Sequence, residues 1–384
     1  MIKLLLNYQK RISTFFGLFL GIFLLSQFLP NKENKIKFED LALGKDSVTV
    51  MANFNNKRIH CGGVVDLDLC LKAYNDNDVE LPVTLWLGNS QLHAINQYRP
   101  GDETAALILH KNLKNYGHYT LTFSQANANF QEHYLLLAFL LEKFPIKTLV
   151  IPTVFDDLRE DEIRPSFQTI LKDQALVKRI NKTSTGKSLI LNFQNIDNDL
   201  VGNEFKVSEG IIQNNFENLL EERLGKIWPI WDEREILRGT LFGKLYKLRN
   251  SVFRINASTI RNMIPERYVK NMNAFKDILN LALDNNLDVL VYIPPIRNDV
   301  KIPYNIKDYD NFKKEIHDIT KEYEVNFFSL ENLVPPNFWG KKSSTNLKKV
   351  KEIDFMHFQA KGHQLLAESL FLEIIKNKEL INKP

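Results

Sequence analysis

Only two cysteines occur in 384 residues, too few for a disulfide-built scaffold. No second Cys/His cluster with ligand spacing accompanies them, so neither a metal nor a cofactor is expected. An excess of one charge is missing as well. Fifty Lys and Arg stand against 46 Asp and Glu, a formal net charge of +4, and no basic block of the kind that tracks a phosphate backbone appears. Nucleic acid is a poor match as partner. Internal repeats and low-complexity tracts are absent too. What is left, with 44% hydrophobic and 25% charged residues, is an ordinary globular composition, long enough for one large domain with an insertion or for two domains.

Long apolar runs are lacking, with one exception. From Ile12 to Pro30 the chain carries no charge, and Phe15 to Leu25 is nearly all apolar, about long enough for a thin bilayer. Lys3, Lys10 and Arg11 precede it, and the residues from Ser26 to Pro30 offer no small-x-small cleavage site. This pattern predicts a cytoplasmic N-terminus at 1–11, an uncleaved transmembrane anchor at 12–30 and a single-pass protein of the cytoplasmic membrane. The rest then faces the periplasm or the outer side, although Lys32, Lys35 and Lys37 nearly balance the charges before the run. Residues 31–80 are polar and irregular and read as a stem. Within them Cys61 and Cys70 enclose a short loop that a disulfide could staple in an oxidising compartment; two free buried thiols are the alternative.

Beyond the stem, short apolar runs alternate with helical patterns. Leu81 to Leu87, His118 to Phe123, Thr148 to Phe155, Leu287 to Ile293 and Val325 to Leu330 read as strands. Helices are expected just after Ser90, over 131–144, 268–285 and 309–323, and from about 360 to 376. Such alternation implies an α/β flavodoxin-like fold, a parallel sheet of about five strands covered on both faces, with functional groups at the strands' carboxyl ends. The rhythm breaks at about 160–266, read as a helical insertion in which Trp228 and Trp231 either pack or line a groove. The domain spans 81–376 and a tail 377–384.

Two segments carry chemistry. Gly88-Asn89-Ser90-Gln91 closes the first strand, where a serine hydroxyl is exposed at the mouth of the sheet and backbone N–H groups aim at a developing oxyanion. A Gly-Asn-Ser turn that merely caps a helix is the plain alternative. Asp354-Phe355-Met356-His357 precedes the last helix; from a loop, the carboxylate would hold the imidazole tautomer while Nε2 takes a proton from serine. His93, one helical turn after Ser90, either touches the site or, as the expectation has it, is a partly buried helix residue, and His363 is expected as a surface or cap residue. His110, His118, His133 and His317 show no ligand spacing.

Together these segments resemble the SGNH/GDSL hydrolase superfamily, in which the nucleophilic serine follows the first strand and Asp-x-x-His precedes the last helix. The trailing Gly362-His363-Gln364-Leu365-Leu366-Ala367 agrees. The resemblance implies catalytic roles for Ser90, Asp354 and His357. Two blocks depart from it. The family's oxyanion glycine has no counterpart in Ser124 to Asn129, and its Gly-x-Asn-Asp becomes Val154-Phe155-Asp156-Asp157. A carboxylate in place of the Asn donor would repel an oxyanion, so either Asn127 supplies the donor, or Asp156 is protonated, or it orients Arg159. The oxyanion group is expected among Ser90, Asn127 and Asp156.

A single anchor with a degraded oxyanion motif looks most like the branch that works on cell-envelope polymers, in D-alanine transfer to teichoic acids and alginate O-acetylation. By that resemblance the protein is a serine esterase or O-acyltransferase. Its partners would be a cell-envelope polysaccharide or exopolysaccharide, the membrane and a membrane-bound O-acyltransferase. A non-catalytic carbohydrate-binding or assembly protein is the alternative.

Overall fold

The computed structural model describes Gly17 and residues 46–77, 80–201, 234–348 and 350–381. The expected anchor, apart from Gly17, lies outside these residues, as do Trp228 and Trp231. Among the described residues no helix is long and apolar enough to cross a membrane.

The strands are β1 (Ser47–Thr49), β2 (Asn53–Phe54), β3 (Lys57–Arg58), β4 (His60–Cys61), β5 (Val83–Gly88), β6 (Ala94–Asn96), β7 (Tyr119–Ser124) and β8 (Ile146–Pro152). After a long helical stretch come β9 (Asp288–Ile293), β10 (Asn326–Ser329), β11 (Trp339–Lys342) and β12 (Glu352–Phe358). Six of them form one sheet in the order β10-β9-β8-β5-β7-β4. All its pairs are parallel. The five expected strands are its body, and β4 is a sixth.

A parallel sheet needs cover on both faces, and alternation along β5 shows how it is supplied. Leu85 and Leu87 join one apolar cluster with Leu135, Phe275 and Phe312, from the helices Phe130–Leu140, Pro265–Asp284 and Ile306–Glu322. Trp86 points the other way, into a second cluster with Leu109, Leu366 and Leu370 from the helices Ala105–Lys114 and Ala360–Ile381. Its indole Nε1 donates to the Tyr292 hydroxyl at 3.1 Å, so the polar edge of a fully buried ring is satisfied. From β5 the chain pairs first with β7 on one side and then with β8 on the other. The strand order therefore reverses at β5, and a crevice at its carboxyl end is the place for a site in such a sheet.

Residues 46–77, taken as stem, belong to the same compact unit as the sheet: β1 pairs antiparallel with β6 and β4 pairs parallel with β7. Cys61 and Cys70 form a disulfide that ties β4 to the helix Leu67–Asn75. The expected insertion at 160–266 also divides. Of the described residues, 160–201 and 257–266 fall in the sheet unit, whereas 234–256 group with 344–348 and 350 in a second unit. In that second unit the helix Arg234–Val252 is followed by a turn in which Ile255 N–H donates to Asn250 O at 2.7 Å. Asn250 Nδ2 donates to Thr345 O at 2.9 Å.

Candidate active site

β5 stops at Gly88, where an added Cβ would overlap the Leu92 side chain. Asn89 then turns the chain, its Oδ1 accepting from Gln91 N–H at 3.0 Å. The expected helix after Ser90 is one 3-10 turn, Ser90–Leu92, followed directly by β6. Asn and Ser cap a single turn as readily as a long helix, which is why the sequence signal looked the same. A turn this short carries little macrodipole. Gln91, buried, fastens it: Nε2 donates to Pro295 O at 2.8 Å and Met356 O at 2.9 Å.

Asp354 and His357 sit on β12, a strand antiparallel to β11, and not on a loop. Asp354 Oδ1 accepts from the N–H groups of Met356 (3.1 Å) and His357 (3.0 Å). Its Oδ2 lies 3.0 Å from His357 Nδ1 and accepts from Asn96 Nδ2 at 3.2 Å. Four donors thus converge on one carboxylate, 1% exposed. Burial works to raise its pKa, but the charge and hydrogen bonds of His357, with the Lys342 charge, prevail and hold it down at about 2. Asn96 reaches Asp354 because Gly340 leaves room; a Cβ there would occupy the Asn96 amide.

On its other side, His357 Nε2 lies 2.9 Å from Ser90 Oγ. The three side chains therefore form a hydrogen-bonded series, Ser90 to His357 to Asp354, assembled from residues 267 apart in sequence. With Nδ1–H donated to Asp354, the lone pair of Nε2 faces the serine hydroxyl, the arrangement a general base needs.

The other expected oxyanion groups are placed differently. Asp156 Oδ1 accepts from Arg159 Nη1 at 3.2 Å. Its Oδ2 accepts from Arg261 and, at 3.1 Å, from the Tyr304 hydroxyl. A carboxylate engaged by two guanidinium groups and a phenol acts as an acceptor, and its contact with Arg159 is the third of the roles expected for it. Asn127 is exposed and takes a left-handed turn position at φ 52° between β7 and the next helix. Asp157, buried, receives Asn89 Nδ2 at 2.8 Å. Burial pushes its carboxyl well above the usual range.

Several buried histidines lie near the site. His93 is not on a helix: it ends the 3-10 turn, buried, with Nδ1 2.6 Å from Ser124 Oγ. His60 Nε2 is 2.6 Å from the same oxygen. His363, expected at the surface, is fully buried. Its Nδ1 accepts from Ala105 N–H at 3.2 Å, and its Nε2 faces Ala94 O at 3.2 Å. The spacing His363, Leu366, Leu370 on one helix face was the available signal. Among the described residues no group of three or more His, Cys, Asp or Glu is placed to hold a metal ion.

No family model matches the chain, and comparison with curated proteins gives no match. Among solved structures it is similar to a Bacteroides fragilis protein described as an acylhydrolase, at 8% identity over 79% of this chain and 92% of that chain, TM-score 0.36. It is also similar to a catalytic mutant of an acetylxylan esterase from Geobacillus stearothermophilus, at 9% identity over 78% of this chain and 96% of that chain, TM-score 0.34. Overlaps this loose bear on neither fold nor activity.

Proposed function

We propose that the protein is a serine acyl esterase or O-acyltransferase that works through an acyl-Ser90 intermediate. One observation carries this: Ser90 Oγ, His357 and Asp354 are linked at 2.9 and 3.0 Å at the carboxyl end of the central strand. In the proposed reaction Ser90 Oγ attacks an ester carbonyl as its proton passes to His357 Nε2. The C–O bond to the alcohol then breaks, and the leaving alcohol takes that proton. Water or a sugar hydroxyl next attacks acyl-Ser90, its own proton going to His357; the bond from acyl carbon to Ser90 Oγ then breaks, His357 returns that proton to Oγ, and either an acid or a new ester leaves. Asp354 fixes the imidazole tautomer throughout. The Ser90 N–H, at the start of the 3-10 turn, is the backbone donor to the oxyanion.

The substrate class rests on the resemblance to the SGNH/GDSL superfamily and its envelope-polymer branch: an acylated cell-envelope polysaccharide or exopolysaccharide. Two features support an extracytoplasmic domain tethered to the membrane. One is the uncharged run from Ile12 to Pro30 behind Lys3, Lys10 and Arg11; the other is the Cys61–Cys70 disulfide, which belongs to oxidising compartments. A membrane-bound O-acyltransferase is the partner this role calls for.

A second reading, a non-catalytic carbohydrate-binding or assembly protein, has one observation in its favour, the Asp156 carboxylate already saturated by Arg159, Arg261 and Tyr304. Labelling with a fluorophosphonate probe separates the two. The wild type is expected to label and Ser90→Ala not to; a folded wild type that takes up no probe refutes the enzymatic reading.

A further inference from the structure

The side-chain oxyanion donor is unassigned by Asp156 and Asn127, and the residues under the Ser90 turn supply a candidate. His93 is held at three points. Its N–H donates to Ser90 O at 3.2 Å, its carbonyl accepts from Val50 N–H at 2.7 Å, and its Nδ1 meets Ser124 Oγ at 2.6 Å. Ser124 is the ladder partner of Gly88, two residues before the nucleophile. His60 Nε2 approaches the same hydroxyl at 2.6 Å, and all three residues are buried.

The proton count in this cluster decides what His93 presents. Burial lowers both imidazoles, His93 to about 3 and His60 well below its ordinary value, so both rings are neutral at pH 7. Ser124 Oγ has one proton to give, and the two ring nitrogens are its hydrogen-bond partners. One ring must therefore accept from it while the other donates to it. His60 Nδ1 is buried without a partner. If His60 accepted at Nε2, its N–H would sit on Nδ1 as an orphaned buried donor, whereas a bare lone pair there is the milder defect. The proton order is then His60 Nε2–H to Ser124 Oγ, and Ser124 O–H to His93 Nδ1. The remaining proton of His93 is fixed on Nε2, and donation into Nδ1 limits the ring to that tautomer. His93 also lies close enough to His357 to feel its charge, although burial is the larger influence on its own pKa.

Resting on the acyl-Ser90 reading, we propose that His93 Nε2–H donates to the carbonyl oxygen of the bound acyl group, supplying the oxyanion donor that Asp156 does not, and that His60 and Ser124 are positioning residues which lock its tautomer. No bond to His93 forms or breaks; it gives a hydrogen bond as negative charge develops on that oxygen.

The test uses the full chain, p-nitrophenyl acetate and His93→Phe. Loss of one oxyanion donor is expected to lower kcat about 10²–10³-fold with KM little changed. The ester carbonyl stretch of the trapped acyl-enzyme is expected to move to higher frequency, a readout that a purely structural role would leave in place. Ser124→Ala deletes one hydroxyl, frees the tautomer and is expected to lower kcat about tenfold; it carries the test if His93→Phe does not fold. A folded His93→Phe within about twofold of wild-type kcat, or an unmoved carbonyl stretch, overturns the inference. Continued phosphonate labelling of Ser90 in such a variant leaves the nucleophile intact, whereas absence of labelling in the wild type removes both.

Discussion

Replacing Asp354 by Asn changes no shape but makes one side of the group a donor, and the structure shows that neither side can take one. Oδ1 faces two backbone N–H groups, from Met356 and His357. Oδ2 faces His357 Nδ1 and the Asn96 amide nitrogen. The backbone donors cannot change, so the amide oxygen must stay with them and the NH₂ must turn to His357. The imidazole is then forced to bare Nδ1 and to carry its proton on Nε2, against Ser90 Oγ at 2.9 Å. A base protonated at the wrong nitrogen cannot accept from serine. The loss expected for this tautomer change is about 10⁴ in kcat, or roughly 5.4 kcal/mol of barrier at 1.36 kcal/mol per tenfold. Steady-state hydrolysis of p-nitrophenyl acetate measures it, and ¹⁵N chemical shifts of the His357 ring read the tautomer directly. A variant within tenfold of wild-type kcat, with Nδ1 still protonated, refutes the assignment of Asp354 as orienter.

Other consequences are as specific. Asp157 keeps its proton in the fold well above the range where an unfolded carboxyl loses it, so its contribution to stability is complete below about pH 3.9 and falls as pH rises towards the folded value. Asp157→Asn is expected to match the wild type near pH 4 and to exceed it at pH 8; parallel denaturation midpoints at the two values would count against this. Gln91→Ala strands the carbonyls of Pro295 and Met356, for a loss of about 2–4 kcal/mol that denaturant unfolding reads, with a fall in kcat as the Ser90 turn loosens. Reducing the Cys61–Cys70 bridge releases a loop of sequence separation 9, worth about 2.6 kcal/mol in the chain-entropy account. Calorimetry with and without reductant should show a lower Tm, and coincident traces would deny the bridge its role.

The body of the sheet is legible because β5, β8 and β9 are largely apolar runs, and burial on both faces demands nothing subtler. β4 is not, since two residues, His60 and Cys61, make no pattern. β12 was taken for a loop because Glu352 and Asp354 interrupt its apolar residues, and only pairing with β11 makes it a strand. Ser90, Asp354 and His357 stood out through chain order and the resemblance they carry. Their supports did not. Asn96, Gln91 and Gly340 act through contacts that no local spacing encodes, and the Asp156 partner Arg261 lies 105 residues away. Asn89 and Ser90 announce the start of a turn but not its length, which is why a single 3-10 turn and a helix look alike in the sequence.

The small size of β4 has a meaning beyond the bridge that holds it. Outermost in a parallel sheet, it is followed immediately by Gly62 and Gly63, the latter at φ 85°, and the Cys61–Cys70 bond draws the chain away into a helix. A second molecule seeking to add a strand there finds a ladder of only two residues before the backbone departs. This truncated margin works as protection against edge-to-edge association.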